Sequence, residues 1–505
     1  DFYDRYELDS KTIQKNKIKD LFVSLNGSFN AIYYDKNKKL LTVYNDIIGL
    51  KKVYYGQLDK TILISSLLSI FKDKRINKEF VKEFIFFRLA LDYNTQYEGV
   101  YTVPPDGFVY IKIEKQNYIT QPYLRPIAKK ERKSKEWIEE AISIYHDVFR
   151  LVEQNRKDKT IYGTLTGGSD TRILYNMFLL YDKSMVKEFF TNSSYSFDDA
   201  KTAEAISSYY KTKLIDIGKS LDNFKNQQDT NLLKYITNGY LDWIAYLNNY
   251  YSNDIIFYGS FGNFLSRRGY GNHKEIINSK SLHDFCRNYF KYLPTGFHHR
   301  FIKDVLGPAE SKKMFDKFYS IFEINFSDLS LAHAYYYFYK NYRNFYNDSR
   351  FVTGSYSGAS GIFPFNNLRL INLYNELPTK EIFSHKNHFL SAYIHNDRLR
   401  KIKSGHFPFP LNYKSLFIYY LSEPITTVNW ELRKFKYSYI TKEKIDEVFS
   451  LIQTHKNYEK FLDVDFYKRS LGEYKAPKRF LNTIKWVSKM FLEYDKIKNE
   501  MCNDY

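Results

Sequence analysis

Between residues 20 and 125 the chain carries short runs in which apolar and polar residues alternate, separated by residues that form turns. The runs are rich in β-branched and aromatic residues: FNAIYYD, KLLTVYND, KKVYYG, TILISS and GFVYIKIEK. An alternation with a period of two places every second side chain on one face of a sheet. The pattern therefore predicts a mainly antiparallel β region, with a turn at Pro104-Pro105-Asp106-Gly107 before its last run.

The pattern changes at the charged segment AKKERKSKE, residues 128 to 136, which we interpret as a linker or an exposed helix entry. A helix is predicted next, with Ser134 as its cap, because the apolar residues that follow have helical spacing. These residues are Trp137, Ile138, Ala141, Ile142, Tyr145, Val148, Phe149 and Val152. The change marks the predicted boundary between a first domain, residues 1–127, and a second domain, residues 128–505.

Strands and helices alternate in the second domain. Helices are predicted from about Thr171 and from Asp198-Asp199, and strands at YGTLT, VKEFFT, KLIDI and DIIFYG. Repeated strand–helix units predict a doubly wound parallel sheet, which binds ligands at the carboxyl ends of its strands. Beyond about residue 275 the pattern is mostly helical. The basic amphipathic stretch from Lys475 to Met501 is predicted to pack on the protein or to dock on a membrane or a partner.

Composition narrows the class of protein only a little. The chain has 505 residues, of which 44% are hydrophobic and 26% charged, values typical of a folded protein. The 49 Tyr and 42 Phe residues are unusually many, and filling of core and surface explains them better than stacking on nucleic-acid bases. The net charge of +19 favours an anionic partner such as ATP, an acidic substrate or nucleic acid, although a merely solubilising surface would carry the same charge.

The two cysteines, Cys286 and Cys502, lie far apart in the chain and have no Cys or His partner at metal-binding spacing. The sequence therefore predicts a reducing compartment, without a disulfide framework or a zinc site. No apolar run reaches about 18 residues and no signal-like start is present, which predicts a soluble cytoplasmic protein. The chain opens with Asp1 instead of Met, so we expect that a leading segment is missing or has been removed.

The turn between the strand YGTLT and its helix, Thr166-Gly167-Gly168-Ser169-Asp170-Thr171, is a candidate anion site. Two adjacent glycines leave backbone N–H groups bare beside a helix start, and the hydroxyl residues add further donors. The spacing fits neither a P-loop nor a dinucleotide-binding fingerprint. Asp170 would repel a bare phosphate, which favours magnesium pyrophosphate with Asp170 on the metal. The alternative is an ordinary tight turn in which Asp170 caps the helix.

The segment LTGGSDTR resembles S-G-G-x-D-S-R, the pyrophosphate-binding motif of the asparagine synthetase superfamily. Residues 27–55 resemble G-D-F-A-…-D-…-R-D-…-G-…-P-L-Y-Y of its amino-terminal glutaminase-like domain. In the same domain, ILISSLLSIF resembles F-A-S-E-…-A-L, and NTQYEGVYTVPPDGFVYI resembles T-…-G-…-L-P-P-G. In the second domain, TNSSYSFDDAKTAEAIS resembles the D-E-…-A segment, and FPFNNLRL resembles P-F-L-D-…-R-L. These landmarks follow the order of the superfamily.

The resemblance implies an Ntn-hydrolase-like α+β domain, followed by a doubly wound α/β ATP-pyrophosphatase domain with a helical carboxy-terminal part. It also implies the cofactors ATP and Mg²⁺, in an enzyme that adenylates a carboxylate and transfers it to an amine. The positions that match the superfamily's ATP site are Thr166, Gly167, Gly168, Ser169, Asp170, Thr171, Arg172, Thr191 and Gly262. Lys403, in KIKSGHF, matches a late lysine in an R-x-K-x-G context and is the candidate catalytic residue.

The first domain departs from the superfamily at its nucleophile. Members with glutaminase activity use an amino-terminal Cys, and no Cys occurs before Cys286, so the sequence as given excludes glutamine hydrolysis. Relatives that make β-lactams or cyclise lasso peptides keep this domain as a scaffold and use an amine of the substrate instead of ammonia. We therefore expect the first domain to be a degenerate glutaminase-like domain.

The second domain departs at its metal site. The segment SFGNFLSRRGY aligns with G-E-G-S-D-E-L-F-G-G-Y and places Phe264 and Leu265 where a metal-binding Asp and a Glu stand. Asn367 likewise replaces an Asp. An aromatic ring cannot serve as a ligand for a hard cation, so Asp170 has to act with water and the phosphates, or another acid has to substitute. We expect Arg267 and Arg268 to compensate by pairing with phosphate oxygens.

The sequence therefore predicts an ATP-dependent, AMP-forming carbon–nitrogen ligase that joins a carboxylate-bearing small molecule or peptide to an amine. The amine is expected in a peptide, a natural product or a sugar precursor, with lasso-type cyclisation of a precursor peptide as one form. Two alternatives stay open: a degenerate homologue that serves as a scaffold or binding subunit, and an ATP pyrophosphatase that modifies nucleic acid. Phe264, Leu265 and Asn367 favour the first alternative. The charge of +19 favours the second, although the resemblance of the first domain makes nucleic acid an unlikely partner.

Overall fold

The computed structural model describes residues 17–59, 61–71, 89–114, 117–123, 132–193, 197–225, 243–260, 278–291, 299–344, 360–377 and 394–402. It also describes single positions between these blocks, namely residues 74, 75, 77, 79, 80, 83, 87, 262 and 391. No helix within these residues is both long enough and apolar enough to cross a membrane.

The first part of the chain folds into two antiparallel sheets. Its strands are β1 Asn30–Asp35, β2 Leu40–Asn45, β3 Tyr54–Leu58, β4 Thr61–Ser65, β5 Val100–Thr102, β6 Gly107–Lys112 and β7 Asn117–Pro122. They pair in the orders β1-β2-β6-β7 and β4-β3-β5. Helix α1, Lys17–Ser24, packs Phe22 and Val23 against one face of the four-stranded sheet. All five runs with alternating polarity form strands, which confirms the predicted antiparallel region.

The two sheets share an apolar layer. Val43 and Val109 of the four-stranded sheet are buried in one cluster with Tyr55 of the three-stranded sheet and with Val53 just before it. The Tyr55 hydroxyl and Thr120 Oγ1 lie 2.6 Å apart, and this hydrogen bond joins the sheets at the edge of the layer. A slip of one residue in either register would turn these side chains to the opposite face, so the alternating pattern fixes the pairing.

The remainder of the chain is built on a parallel sheet. Its strands are β8 Ile161–Thr164, β9 Glu188–Thr191, β10 Leu214–Asp216, β11 Ile255–Phe257 and β12 Ser360–Ile362. They lie in the order β10-β9-β8-β11-β12, and each neighbouring pair is parallel. From β8 the chain adds strands first on one side and then on the other, so the strand order reverses between β8 and β11. The predicted parallel α/β sheet is confirmed.

Helices lie between these strands along the chain and after them. They are α2 Ser134–Asn155, α3 Ser169–Tyr181, α4 Phe197–Tyr210, α5 Gly218–Lys225, α6 Trp243–Tyr250, α7 Leu282–Lys291, α8 His299–Phe326, α9 Leu331–Phe338, α10 Leu368–Tyr374 and α11 Asp397–Lys401. A π-helical segment, Tyr339–Asn344, continues α9. The helices predicted at α2, α3 and α4 are confirmed.

Several details differ from the sequence predictions. Ser134, the predicted cap, is the first residue of α2, and the N-cap is Lys133, without a capping side-chain hydrogen bond. Strand β12 lies in the region predicted to be mostly helical, because three residues are too few to show a period of two. The predicted domain boundary falls between β7 and α2, where residues 124–131 lie outside the described residues, as does the predicted helix from Lys475 to Met501.

One apolar core extends through both parts of the chain. Ile48 and Leu91 of the first part are buried in the same cluster as Trp137, Phe149 and Phe257 of the second. Burial of large side chains is the main favourable contribution to folding, and here a single cluster draws on both parts. The first part is therefore packed onto the second as an integral layer.

A buried ion pair also joins the two parts. Asp106, in the turn before β6, lies 3.2 Å from Lys340 Nζ in the π-helical segment, and both side chains are fully buried. Asp106 also accepts a hydrogen bond of 2.8 Å from the Tyr44 hydroxyl. A charge removed from water is tolerated only where partners compensate for the lost hydration. The pair thus fixes how the turn at Asp106 sits on the helical layer.

A second polar contact lies beside it. Asp46, which is fully buried, accepts hydrogen bonds from the backbone N–H of Ile48 at 3.1 Å and of Leu50 at 3.2 Å. It also accepts one of 3.4 Å from Asn366, which follows β12. Burial outweighs these hydrogen bonds and raises the pKa of Asp46 to about 6.

We predict that Lys340→Met lowers the free energy of unfolding by about 3 to 5 kcal/mol, because it leaves Asp106 buried without its cation. The double variant Lys340→Met/Asp106→Asn should recover most of the loss, because it also removes the unpaired charge. Asn tolerates the positive φ of 51° at this position. Urea unfolding of the three proteins measures both effects. A loss below about 1 kcal/mol in the single variant would contradict a structural role for the pair.

We also predict a pH dependence that Asp46 controls. The folded pKa of Asp46, about 6, lies above its ordinary value of 3.8, so the native state binds a proton that the unfolded state releases. The stabilisation that this proton gives the native state is complete below pH 3.8 and is lost as the pH rises through 6. Between pH 4 and 7 the wild type should therefore lose stability relative to Asp46→Asn, by up to about 3 kcal/mol. Parallel curves for the two proteins would disprove this assignment.

Candidate functional site

The candidate site lies at the carboxyl ends of two neighbouring strands. Strand β8 ends at Thr164 and leads through residues 165–168 into α3, while β11 ends at Phe257 and leads into residues 258–262. The two strands pair directly, with Ile255 opposite Ile161. In parallel α/β sheets, ligands bind in the crevice where the strand order reverses, and these two turns flank that position.

Glycines allow the turn after β11 to lie directly on the start of α3. A Cβ atom placed on Gly259 would lie 2.5 Å from Thr171 Cγ2 and 2.9 Å from Thr171 Cα. A Cβ placed on Gly262 would lie 2.6 Å from Asp170 Cγ. The backbone N–H of Gly259 donates a 3.1 Å hydrogen bond to Thr164 Oγ1, which ties the turn to the end of β8. Only glycine fits these two positions without displacing α3.

The turn after β8 is held by its own threonines. Thr166 Oγ1 and Thr171 Oγ1 lie 2.9 Å apart, and the Thr166 backbone N–H donates a 3.0 Å hydrogen bond to Thr171 Oγ1. The Gly168 N–H donates to Thr166 Oγ1 at 3.1 Å. Both hydroxyls, which the sequence predicted as donors to an anion, therefore shape the turn. Their direct contact with a ligand stays a prediction.

The first turn of α3 is the strongest anion-attracting feature of the site. Gly168 is the N-cap, with φ −70° and ψ 157°, and no side chain caps the helix. The initial N–H groups of a helix have no partner within the helix, and the helix dipole adds positive potential there. Asp170 is the second residue of the helix, so the alternative in which Asp170 serves as the N-cap is wrong.

Two carboxylates flank this turn. Asp170 faces Gly262 from α3, and Ser169 Oγ lies 3.4 Å from Asp170 Oδ1. Asp199, in the first turn of α4, lies on the other side, with its carboxylate against Gly167. A Cβ at position 167 would collide with that carboxylate, which explains the glycine. Sequence reasoning singled out Asp199 only as a helix start, because its contact with the turn depends on how α4 packs.

The neighbouring strand contributes a further polar atom. Thr191, at the end of β9, is 2% exposed, and its hydroxyl has no hydrogen-bond partner within the described residues. A buried hydroxyl without a partner is costly, and a bound ligand would satisfy it. Beside it, Asp216 accepts hydrogen bonds from the N–H groups of Ser193 and Gly218 at 3.0 and 2.9 Å. Burial raises the pKa of Asp216, but these hydrogen bonds outweigh it and hold the pKa below its usual value.

Arg172 is placed differently from the other residues of the turn. It is fully buried, and its Nη1 donates a 3.1 Å hydrogen bond to the carbonyl oxygen of Ile402. The sequence predicted Arg172 as part of the ATP site, but its position places the guanidinium on the backbone after α11. Lys403, the next residue, lies outside the described residues, as do Phe264, Leu265, Arg267 and Arg268.

Two other residues from the sequence analysis have structural positions. Asn367 is the N-cap of α10, and its side chain accepts hydrogen bonds from the N–H groups of Arg369 at 2.9 Å and Leu370 at 3.3 Å. Asn and Asp serve equally well as caps, so this position does not require a carboxylate. Cys286 is fully buried in the core, and burial raises the pKa of its thiol well above the usual value. Such a buried thiol is typical of a structural cysteine. The described residues contain no group of three or more His, Cys, Asp or Glu side chains that would hold a metal ion unaided.

Comparison with known proteins finds a similarity in the first part of the chain. Residues 13–124 match the family model of the glutamine amidotransferase domain. The match covers both antiparallel sheets and suggests an enzyme. It agrees with the glutaminase-like domain that the sequence motifs indicated. No curated protein matches the chain.

We predict that Gly259→Ala lowers the free energy of unfolding by about 1 to 3 kcal/mol, because its Cβ would overlap the backbone of Thr171. Gly168→Ala is the matched control, since its Cβ would meet only Thr166 Oγ1, at 3.3 Å. That control should lose less than about 1 kcal/mol. Urea denaturation of both variants tests the pair. Equal stabilities would show that the two turns do not approach each other as described.

Proposed function

We propose that this protein is an ATP-dependent ligase that adenylates a substrate carboxylate and passes the acyl group to an amine. The observation that carries the proposal is the turn between β8 and α3: an uncapped helix start at the strand-order reversal, flanked by carboxylates. A site of this kind suits a pyrophosphate with a divalent cation. The motif LTGGSDTR and the amidotransferase-type first part support this chemistry over other uses of an anion site.

The nucleotide would lie with its β- and γ-phosphates against the N–H groups of Ser169 and Asp170 at the start of α3, since the Gly168 N–H already donates to Thr166 Oγ1. The Thr191 hydroxyl, buried and without a partner in the described residues, would contact the same ligand from β9. Mg²⁺, when bound, supplies positive charge that stabilises the leaving pyrophosphate. Asp170 and Asp199 are the two described carboxylates beside the turn that would hold it. In this proposal Asp199 supplies the carboxylate that the superfamily has at the position of Phe264.

The reaction has two steps. In the first, a carboxylate oxygen of the substrate attacks the α-phosphorus, the bond to the β-phosphate oxygen breaks, and pyrophosphate leaves. In the second, the amine attacks the acyl carbon, AMP leaves with the electrons of the carbon–oxygen bond, and the nitrogen loses a proton. The helix start stabilises the charge that develops on pyrophosphate, as fixed donors do in other enzymes. Lys403 is proposed to stabilise the charge that develops in the second step, as the amide forms.

We infer that the amine belongs to a larger substrate and is not free ammonia. The region that matches the amidotransferase domain contains no Cys, and the nucleophile of such domains is a Cys. A peptide, a natural-product intermediate or a sugar precursor would supply the amine, and ring closure within a peptide is one such reaction. In this proposal the first part of the chain serves as a scaffold that supports the ligase part through the Asp106–Lys340 contact.

One observation favours a second candidate, a scaffold or binding subunit without turnover. The hydroxyls of Thr166 and Thr171 bond to each other, so both are engaged within the turn. A protein of this kind would bind nucleotide weakly and would not exchange pyrophosphate. Nucleic-acid modification is the weaker alternative, because the match of residues 13–124 indicates an amidotransferase-type module and not an RNA-binding one.

We predict that Asp170→Asn lowers ATP–pyrophosphate exchange by about 100-fold, because it removes a charge that holds the metal at the reacting phosphates. Exchange is measured with labelled pyrophosphate, Mg²⁺, and a panel of amino acids and of peptides that contain Asp or Glu. Asp182→Asn is the matched control, since Asp182 follows the other end of α3 and its carboxylate accepts hydrogen bonds from Ser184. It should change the rate less than about twofold.

The outcomes separate the candidates. Exchange in the wild type that falls in the Asp170 variant supports the ligase. Binding of Mg·ATP by calorimetry without any exchange across the panel favours the binding subunit. If calorimetry detects no Mg·ATP binding, the proposal is wrong.

A further inference from the structure

Helix α3 carries two fully buried polar residues just beyond the nucleotide turn. Arg172 and Asn176 are four residues apart, so both side chains lie on one face of the helix. Buried polar side chains are retained at a cost unless they form hydrogen bonds. Each of them donates to the backbone of a single later segment, residues 394–402, and Asn176 donates also to the backbone of Ser391.

The contacts of this face are specific. Asn176 Nδ2 donates to the carbonyl oxygens of Ser391 at 3.2 Å and Ile394 at 3.1 Å. Asn176 Oδ1 accepts a 3.1 Å hydrogen bond from Asn396 Nδ2. Arg172 Nη1 reaches the carbonyl oxygen of Ile402, 3.1 Å away. The segment is thus held at its beginning, in its middle and at its end by one helical face.

Helix α4 adds a further contact to the same segment. The Tyr210 hydroxyl donates a 2.6 Å hydrogen bond to Asn396 Oδ1. The same oxygen caps α11 by accepting from the Leu399 N–H at 3.1 Å. We call Arg172, Asn176, Tyr210 and Asn396 the α3–α11 cluster. Helices α3 and α4, which contact the segment, begin beside the nucleotide turn, at Ser169 and Phe197, and carry Asp170 and Asp199 in their first turns.

We propose that Arg172 is a positioning residue: through the α3–α11 cluster it couples the nucleotide turn to residues 394–402 and does not ligate phosphate. The inference rests on the proposed function for the identity of the ligand. The guanidinium is buried, its Nη1 donates to a backbone carbonyl, and Arg172 lies one helical turn beyond Gly168, the N-cap of α3. Residue 402 immediately precedes Lys403, so a shift of α3 on nucleotide binding would be transmitted to the chain that carries this lysine. Such linkage is reciprocal, and the seating of the segment would in turn favour nucleotide binding.

Hydrogen–deuterium exchange of the full chain, with and without Mg·ATP, tests the coupling. In the wild type, Mg·ATP should slow exchange in residues 166–171 and also in residues 394–402. In Arg172→Met the exchange of residues 394–402 without ligand should rise about tenfold, because a charge-assisted hydrogen bond is lost. Mg·ATP should still slow residues 166–171, with a Kd within about threefold of the wild type, but its effect on residues 394–402 should disappear. Arg172→Lys should restore part of that effect.

A smaller change in the same cluster serves as a second test in case Arg172→Met does not fold. Tyr210→Phe removes only the hydroxyl that contacts Asn396 and should speed exchange of residues 394–402 by about threefold to tenfold. Tyr209→Phe is the matched control, since Tyr209 is its exposed neighbour, and it should leave that exchange unchanged.

Each contrary result has one meaning. A Kd for Mg·ATP raised at least about tenfold in Arg172→Met, with unchanged exchange of residues 394–402, would make Arg172 a phosphate ligand and overturn the inference. Protection of residues 166–171 alone in the wild type would leave the proposed function standing and disprove the coupling. Protection of neither region would disprove the proposed function and, with it, the coupling. Equal exchange in the two tyrosine variants would show that the α3–α11 cluster does not mediate the coupling.

Discussion

The close contact between the turn after β11 and the first turn of α3 is the constraint on which the candidate site depends. Gly259 and Gly262 permit it, because a Cβ at either position would overlap Thr171 or Asp170. The reversal of strand order brings the two turns to neighbouring strands, and the glycines then bring them into contact. The uncapped start of α3 thereby lies against the turn after β11 with carboxylates beside it, which is the arrangement that the proposed site for a metal-bound anion requires.

The first part of the chain supports this site from a distance. Its sheets share a core with the parallel sheet, and the buried pair of Asp106 and Lys340 fixes their relative position. Asn366 follows β12 and contacts Asp46, so the end of the last parallel strand is attached directly to the first part. A domain that has no cysteine nucleophile in its matched region can still be retained for such packing. The match to a glutamine amidotransferase domain and the proposed ligase chemistry are therefore compatible.

The sequence predicts the fold well where the pattern is long and periodic, as in β1, β2 and α2. It misses β12, whose three residues show no period. The TGGSDT turn could be found because glycines and hydroxyl residues follow a strand at once. The sequence could not show the surroundings of Arg172 or the contact of Asp199 with Gly167, because both depend on how distant segments pack. The motif matches Arg172 to the ATP site, a role that stays a prediction, and only packing shows its hydrogen bond to the backbone of Ile402.

A crystal structure with Mg²⁺ and α,β-methylene ATP, which cannot lose pyrophosphate, tests the central claim most directly. The account predicts the β- and γ-phosphates against the N–H groups of Ser169 and Asp170, with the metal on Asp170. It also predicts that Arg172 keeps its hydrogen bond to Ile402. Phosphates bound elsewhere, or no nucleotide at saturating concentration, would contradict the assignment of this turn as the ATP site.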